Sequence, residues 1–434
     1  MKSLRAAVAA AVVAVVAGAA FLLLRDGTAQ PARDHLTVGA TSTRPSVLVD
    51  VRGAVLEEFS DSCGTSRYPY LCARVRSELL AADAGLLTRG GLTIRTTVDQ
   101  RLQQAAQQAV DRYVGRDDPQ VAQQAMIVPG SGEIRAMATS RDEGRPLQQG
   151  GTAMVYPLVA ALEQGLRQDD GFPYSDRYQA PTYQAFKNCK GENVGDPAHS
   201  VVNEEGDHGE FTTLRSGTWT ADSTFFLKLT ERVGLCETVE AARRLGLERA
   251  DGSPLIEFET FVLGNNEVDP VSVATTYATL AARGQRCAPR AVTEIRNGSG
   301  VVRSFPPRCE QVLDQAVADA VTGVLAEALD RSPLKSLGRD AAGMIGTADD
   351  HAAAWYAGYT PDLASAVGLG GTLTEKMIDV TIGGRRYPYV DGLSIPGPIW
   401  RDSMAAALEG TPASAFTKPD PGRFGGCRTA CAAQ

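Results

Sequence analysis

The sequence lacks a surplus of positive charge, has few histidines, and contains only one long run without charged residues. Its 43 lysines and arginines are outnumbered by 51 acidic residues, which argues against a nucleic-acid partner because binding to phosphate needs a basic face. A single uncharged run excludes a polytopic membrane protein. With 43% hydrophobic residues in 434 positions, the chain can form one large or two ordinary packed domains, which excludes disorder and a collagen-like structure.

The cysteines indicate disulfides rather than a metal site. No C-x-x-C spacing occurs, and the four histidines (His35, His199, His208 and His351) form no cluster of ligands with them, so we expect no metal, with zinc as the alternative. Disulfides would place the protein in an oxidising compartment. Many pairings are open to eight cysteines. Short loops favour Cys63 with Cys72, Cys287 with Cys309, and Cys427 with Cys431, which leaves Cys189 to pair with Cys236.

The uncharged run extends from Ala6 to Leu24. At about 1.5 Å per residue it nearly matches the ~30 Å hydrocarbon core of a bilayer, which predicts a single transmembrane helix. Lys2 and Arg5 favour a cytoplasmic N-terminus. A cleaved signal peptide is the alternative, but the run ends in bulky residues rather than in a small-residue cleavage site. In both cases the rest of the chain is expected on the extracytoplasmic side of the cell membrane.

The remaining sequence divides into a tether and a folded body. Residues 1–25 are interpreted as the cytoplasmic N-terminus and anchor, and the Thr-, Ser- and Pro-rich residues 26–46 as a flexible tether. Hydrophobic periodicity predicts a strand at 92–98, a helix capped by Asp99, and a hairpin at 122–140. Further helices are predicted at 152–166, 224–233, 239–245, 270–282, 311–329 and 399–408, and strands at 354–360 and 363–369. Strands at both ends of a helical middle favour an α+β fold, with a mixed sheet packed against helices.

Several blocks of sequence resemble the transpeptidase domain of penicillin-binding proteins. They are GGLTIRTTVD at 90–99, GEIRAM at 132–137, AALEQG at 160–165, GYTPD at 358–362 and PGPIW at 396–400. Residues 67–72 and 75–80 are similar to the linker that follows the glycosyltransferase domain in the bifunctional actinobacterial members. The resemblance extends from about residue 62 to residue 416.

This resemblance implies the fold of serine β-lactamases and penicillin-binding protein transpeptidases, an antiparallel sheet flanked by helices. It implies a linker at 47–91, a transpeptidase-like domain at 92–416 and a C-terminal tail at 417–434. Since only a short stretch separates the tether from the linker, we expect the glycosyltransferase domain of the bifunctional members to be missing. No cofactor is expected.

The three catalytic motifs of that family are altered here. The S-x-x-K motif supplies a serine nucleophile and a lysine base on one helical face, and its positions hold Gly151 and Met154. Glycine has no nucleophilic atom, and a thioether does not accept a proton at neutral pH. The first and last positions of the S-x-N motif hold Ala221 and Ser223, and the K-T-G positions hold Met344, Ile345 and Gly346. The resemblance therefore predicts no catalytic residues at these positions.

Two other residues could supply a nucleophile. Shifting the register by one residue places Thr152 at the nucleophile position, but Val155 then stands where the base should be. A literal S-x-x-K string occurs at Ser332 to Lys335, without the helix that follows the nucleophile in the family, which favours a solvated loop.

Some polar groups of the family's cleft are retained. Thr152, Ser223, Gly346 and Thr347 are candidates for residual ligand binding, and the backbone N–H groups of Gly151 and Thr347 correspond to the family's oxyanion hole. The alternative interpretation is that these residues fill a partly collapsed cleft.

The sequence thus predicts a membrane-anchored, inactive transpeptidase homologue of cell-wall biogenesis. Its expected partners are the peptide stems of peptidoglycan, other cell-wall synthesis proteins, or both. One alternative is an active serine-type D,D-transpeptidase or penicillin-binding acyltransferase with a displaced nucleophile. Another is a non-covalent β-lactam sensor, for which the short segment Met1 to Arg5 leaves little room for a cytoplasmic output.

Overall fold

The computed structural model describes residues 44–60, 62–203, 209–372 and 375–432, and these belong to one compact unit. The predicted anchor at 1–25 and most of the tether at 26–46 lie outside the described residues. Within the described ranges, no helix is both long and apolar enough to cross a membrane.

Strands and helices are numbered in chain order over the described residues. The strands are β1 Ser46–Val49, β2 Val55–Phe59, β3 Thr93–Thr96, β4 Val121–Val128, β5 Glu133–Thr139, β6 Leu147–Gln148, β7 Gly171–Pro173, β8 Arg177–Gln179, β9 Ser200–Val202, β10 Phe211–Thr213, β11 Glu267–Val268, β12 Gln285–Cys287, β13 Val292–Asn297, β14 Gly300–Ser304, β15 Cys309–Gln311, β16 Ala342–Thr347, β17 Ala353–Tyr359, β18 Ala364–Gly370, β19 Ile378–Ile382 and β20 Arg385–Tyr389. The α-helices are α1 Pro69–Ala82, α2 Gly85–Thr88, α3 Gln100–Tyr113, α4 Val155–Glu163, α5 Leu214–Thr220, α6 Ser223–Val233, α7 Leu235–Leu245, α8 Pro270–Ala281, α9 Gln315–Arg331, α10 Pro396–Leu408 and α11 Pro421–Phe424.

The central sheet has the strand order β16-β17-β18-β4-β5, and every neighbouring pair is antiparallel. Helices cover both of its faces, so its middle strands are buried on both sides. On β17, Trp355 and Ala357 belong to the hydrophobic cluster that includes α4, α8 and α9, whereas Ala354 and Tyr356 belong to the cluster formed with α3 and α10. The predicted α+β fold, with a sheet packed against helices, is confirmed.

A second sheet has the order β14-β13-β3-β1-β2 and includes one parallel pair, β1 with β3. Its strands β1 and β2 come from residues that the sequence assigns to the tether and the linker. The packing of α1 beside them buries Leu71, Val75 and Leu79 completely. In the described structure the linker segment is therefore part of the folded body.

Local signals placed most of the predicted elements correctly. The Asp99 side chain accepts hydrogen bonds from the backbone N–H groups of Arg101 and Leu102, as expected of the N-cap of α3. The predicted hairpin forms from β4 and β5. The helix predicted from residue 152 begins instead with a short 3-10 helix, Gly150–Met154, which continues into α4.

All eight cysteines lie in the described residues and are paired. The bonds join Cys63 to Cys72, Cys189 to Cys236, Cys287 to Cys309, and Cys427 to Cys431. The pairing favoured by short loops is confirmed.

Candidate functional site

The 3-10 helix Gly150–Met154 packs against the edge strand β16, and two glycines allow this close approach. Gly150 has a φ of +61°, and a Cβ there would lie 2.7 Å from the carbonyl carbon of Thr347. A Cβ on Gly346 would lie 2.8 Å from the backbone nitrogen of Thr152. Since real Cβ atoms do not approach backbone this closely, glycine is required on both sides of the contact.

Gly151 is buried in this contact and offers no reactive atom. A Cβ on Gly151 would lie 3.4 Å from the carbonyl oxygen of Ile345 and 3.6 Å from the terminal methyl group of Met154. The methyl group of Met154 therefore occupies the space beside the position that the sequence assigns to the nucleophile.

Met154 and Met344 are both core residues. Each is 3% exposed, and both belong to the main hydrophobic cluster. The positions that the resemblance assigns to two lysines thus present thioethers to a dry interior. A cation at either position would lose its hydration on burial.

The loop that the resemblance assigns to S-x-N lies between α5 and α6. Ala221 ends α5 in a left-handed conformation with φ +50°, and Ser223 is the first residue of α6. Between them, the Asp222 side chain caps α6 by accepting a hydrogen bond of 2.9 Å from the backbone of Phe225. The middle residue of the motif therefore has a structural role here.

The side chain of Asn203 reaches the same loop, which the sequence did not predict. Its amide donates hydrogen bonds to Asp222 Oδ1 at 2.8 Å and to Thr224 Oγ1 at 2.9 Å, and its oxygen accepts from the Thr224 backbone at 3.0 Å. Asn203 and Asp222 are about twenty positions apart, and no helical or strand periodicity connects residues at that distance. Only the fold brings this amide to the loop.

Comparison with known proteins identifies the fold. Two proteins named penicillin-binding protein 1A match the sequence: the one from Mycolicibacterium smegmatis is 31% identical over 364 residues, and the one from Mycobacterium tuberculosis is 30% identical over 372 residues. These matches cover 77% and 79% of this chain but 43% of each relative, so the chain spans less than half of their length. No protein-family profile matches the chain.

Solved structures agree with the sequence matches. The penicillin-binding protein PonA1 from Mycobacterium tuberculosis superposes with a TM-score of 0.67 at 25% identity, over 84% of this chain and 96% of that one. Its complex with penicillin V gives a TM-score of 0.65 at 27% identity, over 81% and 95% of the two chains. The chain is a penicillin-binding protein homologue with the transpeptidase fold.

In this penicillin-binding protein homologue, Thr152 is fully buried. Its hydroxyl donates a hydrogen bond of 2.9 Å to the carbonyl of Gln149, and its own carbonyl accepts one of 3.1 Å from the hydroxyl of Tyr277. The hydroxyl is therefore directed at backbone inside the protein. Of the two interpretations of Thr152, this geometry favours a filler of the cleft over a ligand-binding residue.

The other candidates for residual binding are placed differently. Ser223 and Thr347 are half-buried, whereas Gly346 is buried beneath the 3-10 helix. Residual binding by these three residues stays a prediction.

The literal S-x-x-K string of the homologue does not begin a helix. Ser332 follows the last residue of α9 in extended backbone, and its hydroxyl accepts a hydrogen bond of 3.3 Å from the backbone of Leu334. Lys335 is exposed. The one-turn helical spacing that would bring a lysine to the serine is absent from this part of the described chain.

Two groups of described residues have the spacing of metal ligands. They are Asp170 with Cys427 and Cys431, and Cys189 with Cys236 and Glu240. Each contains both partners of a disulfide, so neither group offers a thiolate to a metal. His35 and His208 lie outside the described residues.

Proposed function

We propose that this penicillin-binding protein homologue serves cell-wall biogenesis without acyl transfer, by binding the peptide stems of peptidoglycan or by scaffolding or regulating active synthases. One observation carries the proposal. Where the 3-10 helix meets β16, the chain has a glycine and two buried methionines, Gly151, Met154 and Met344. The sequence resemblance to transpeptidases assigns a serine and its base to this place.

Acyl transfer needs a nucleophile that a neighbouring base can deprotonate. The nearest hydroxyl in sequence, that of Thr152, is buried and bonded to the carbonyl of Gln149. Placing a base beside it would require an ionisable group in the apolar space filled by Met154, and burial disfavours a charged lysine there. Acyl transfer by Thr152 would therefore need both a hydroxyl released from its hydrogen bond to Gln149 and a base beside it.

The match to a structure solved with penicillin V supports a test with a β-lactam, because that relative has the same fold over most of this chain. A binding groove needs shape and backbone donors but no nucleophile, so loss of the catalytic side chains is compatible with retained recognition. We also propose that residues 1–25 anchor the protein in the cell membrane, with the folded body on the extracytoplasmic side, because their uncharged run has the length of a bilayer span.

The proposal predicts that the protein forms no covalent adduct with penicillin. The test incubates the purified chain with penicillin V and measures its intact mass, with an active penicillin-binding protein treated in parallel. We expect the control to gain the mass of one ring-opened drug and this protein to keep its own mass. An equal gain in this protein would overturn the proposal, and peptide mapping would then identify the displaced nucleophile.

A further inference from the structure

A cavity of about 760 Å³ is lined by none of the candidate site residues. It is bounded by α1, by the loop at 143–146 and by the N-terminal end of α8. The strands β12 and β15, joined by the disulfide between Cys287 and Cys309, form another wall. Its volume is in the range of small-ligand sites.

Arginines dominate the charged lining of this cavity. It contains five of them against four acidic residues, in a chain that is acidic as a whole. Three are already paired: Arg74 with Glu78 at 2.8 Å, Arg249 with Asp251 at 3.3 Å, and Arg286 with Glu310.

The other two arginines, Arg145 and Arg308, differ from these three. Among the described residues, neither guanidinium has a hydrogen bond or an ion pair. Arg145 belongs to the loop at 143–146 and Arg308 directly precedes β15, so two segments distant in sequence each supply a cation to the lining of one cavity.

The backbone that carries Arg145 is fixed. Its N–H donates a hydrogen bond of 2.8 Å to the side-chain oxygen of Gln123, and its carbonyl accepts one of 2.6 Å from the amide nitrogen of the same buried side chain. The preceding Gly144 has a φ of +85°, and a Cβ there would lie 2.7 Å from that Gln123 oxygen and 3.3 Å from the ring of Tyr70. These contacts hold the loop at 143–146 against Gln123 and Tyr70.

The backbone at Arg308 is held as well. The carbonyl of Arg308 accepts a hydrogen bond of 2.9 Å from the backbone of Ala288, directly beside the disulfide of Cys287 and Cys309. Both arginines thus project from a rigid backbone, which lowers the entropy lost when a ligand binds.

The acidic residues of the lining oppose an anion only weakly. The carboxyl group of Asp269 already accepts hydrogen bonds of 2.8 Å from the hydroxyl of Tyr70 and from the backbone N–H of Val271. Glu143 is paired with Arg76 at 3.4 Å, and Glu310 with Arg286. The last acidic residue of the lining, Glu248, is exposed. Its negative charge repels a polyanion more strongly than a small ligand with one oxyanion group.

We propose that this cavity binds a small ligand with an oxyanion group, a carboxylate or a phosphate, through Arg145 and Arg308. A planar guanidinium can hold either oxyanion with two hydrogen bonds, so the shared chemistry is the negatively charged pair of oxygens. The site is distinct from the candidate site, and the proposal does not depend on the proposed function.

The test is isothermal titration calorimetry on the purified full-length chain with two probes, inorganic phosphate and N-acetyl-D-alanine. The cavity variant is Arg145→Ala with Arg308→Ala. The matched control is Arg232→Ala with Arg303→Ala, which removes two exposed arginines that also have no side-chain partner among the described residues and that lie outside the lining.

We expect saturable binding of at least one probe, with affinity about 10- to 100-fold weaker in the cavity variant and nearly unchanged in the control. The probe that binds more tightly tells whether the natural ligand carries a phosphate or a carboxylate. The variant Arg145→Gln with Arg308→Gln, which keeps the side-chain length, should show the same loss, and thermal unfolding checks that every variant is folded.

Two results would overturn the proposal. One is the absence of saturable binding of either probe up to about 10 mM, beyond the weakest affinity that a specific small-molecule site would show. The other is an equal loss of affinity in the cavity variant and the control, which would indicate a general attraction of anions to positive charge.

Discussion

At the scale of single residues, glycine determines how closely the segments around the candidate site approach. Gly264 ends the 3-10 helix Glu259–Leu263 with a φ of +77° and lies against Gly150. A Cβ on Gly264 would lie 2.1 Å from the nitrogen and 2.2 Å from the oxygen of Gly150. Because backbone atoms cannot rotate away as a flexible side chain can, any substitution there must displace the 3-10 helix that carries Gly151.

Gly264→Ala should therefore destabilise the protein by about 3 kcal/mol or more, through backbone strain and collision together. Gly165→Ala is the matched control, since Gly165 has a similar φ of +86° but no atom lies within 4 Å of its Cβ position. It should cost only about 1 kcal/mol, from the conformation alone. Urea unfolding of both variants measures the difference, and equal free energies of unfolding would show that the contact with Gly150 does not constrain the site.

At the scale of elements, one buried carboxylate binds several backbone groups of the C-terminal segment. Asp170 is fully buried, and its Oδ1 accepts hydrogen bonds from the backbone N–H groups of Arg428, Thr429 and Ala430 at 2.7 to 2.9 Å. The Arg167 backbone donates to Oδ2 at 2.7 Å. The residues around the disulfide of Cys427 and Cys431 thus bind back to the chain just after α4, and the described part of the predicted tail, residues 417–432, is packed against the body.

This arrangement predicts a pH dependence of stability. Burial acts to raise the pKa of Asp170, but the backbone N–H groups outweigh it and hold the pKa below its usual range. A carboxyl group with a depressed pKa stabilises the fold above its unfolded pKa of about 4, and that contribution is lost as pH falls through the lower folded value.

Asp170→Asn should lower the free energy of unfolding by about 2 kcal/mol at neutral pH, because it removes the charge from these hydrogen bonds. The difference from the unsubstituted protein should shrink as pH falls below about 4. Urea unfolding across this range provides the measurement, with Asp117→Asn at an exposed aspartate as the control. A difference that does not change with pH would contradict the role of the ionised carboxylate.

At the scale of the whole molecule, the segment before residue 92 is built into the body. The Glu78 carboxylate on α1 accepts hydrogen bonds from the backbone N–H groups of Ala291 at 2.8 Å and Val292 at 2.9 Å, where β13 begins. Strand β1 adds a parallel neighbour to β3. Removing the segment would leave these buried N–H groups unpaired and expose the apolar residues that α1 covers.

A chain that begins at residue 92 should therefore lose cooperative unfolding, whereas a chain that begins at residue 41 should retain it. Near-ultraviolet circular dichroism during heating measures both transitions. If the shorter chain unfolds cooperatively at the same temperature, the segment at 47–91 is a separable linker, as its resemblance to family linkers suggests.

The sequence alone determined the features that depend on neighbouring residues. The hairpin of β4 and β5 and the cap of Asp99 follow from alternation and local hydrogen bonding, and the disulfide pairs from short loops. The ordered blocks of sequence also revealed the resemblance to penicillin-binding proteins and the altered motif positions, because a motif can be compared position by position. The strand β1 was missed, since its parallel partner β3 lies more than forty residues away.

Only the tertiary structure decided what surrounds those positions. Sequence left open whether Thr152 binds a ligand in a cleft or fills a partly collapsed one, and packing buries its hydroxyl against the carbonyl of Gln149. It gave no sign that Asn203 reaches the loop at Asp222, or that Arg145 and Arg308 line one cavity. Burial, the approach of distant backbone and the convergence of charges depend on contacts between segments far apart in the chain, and local sequence patterns do not encode those contacts.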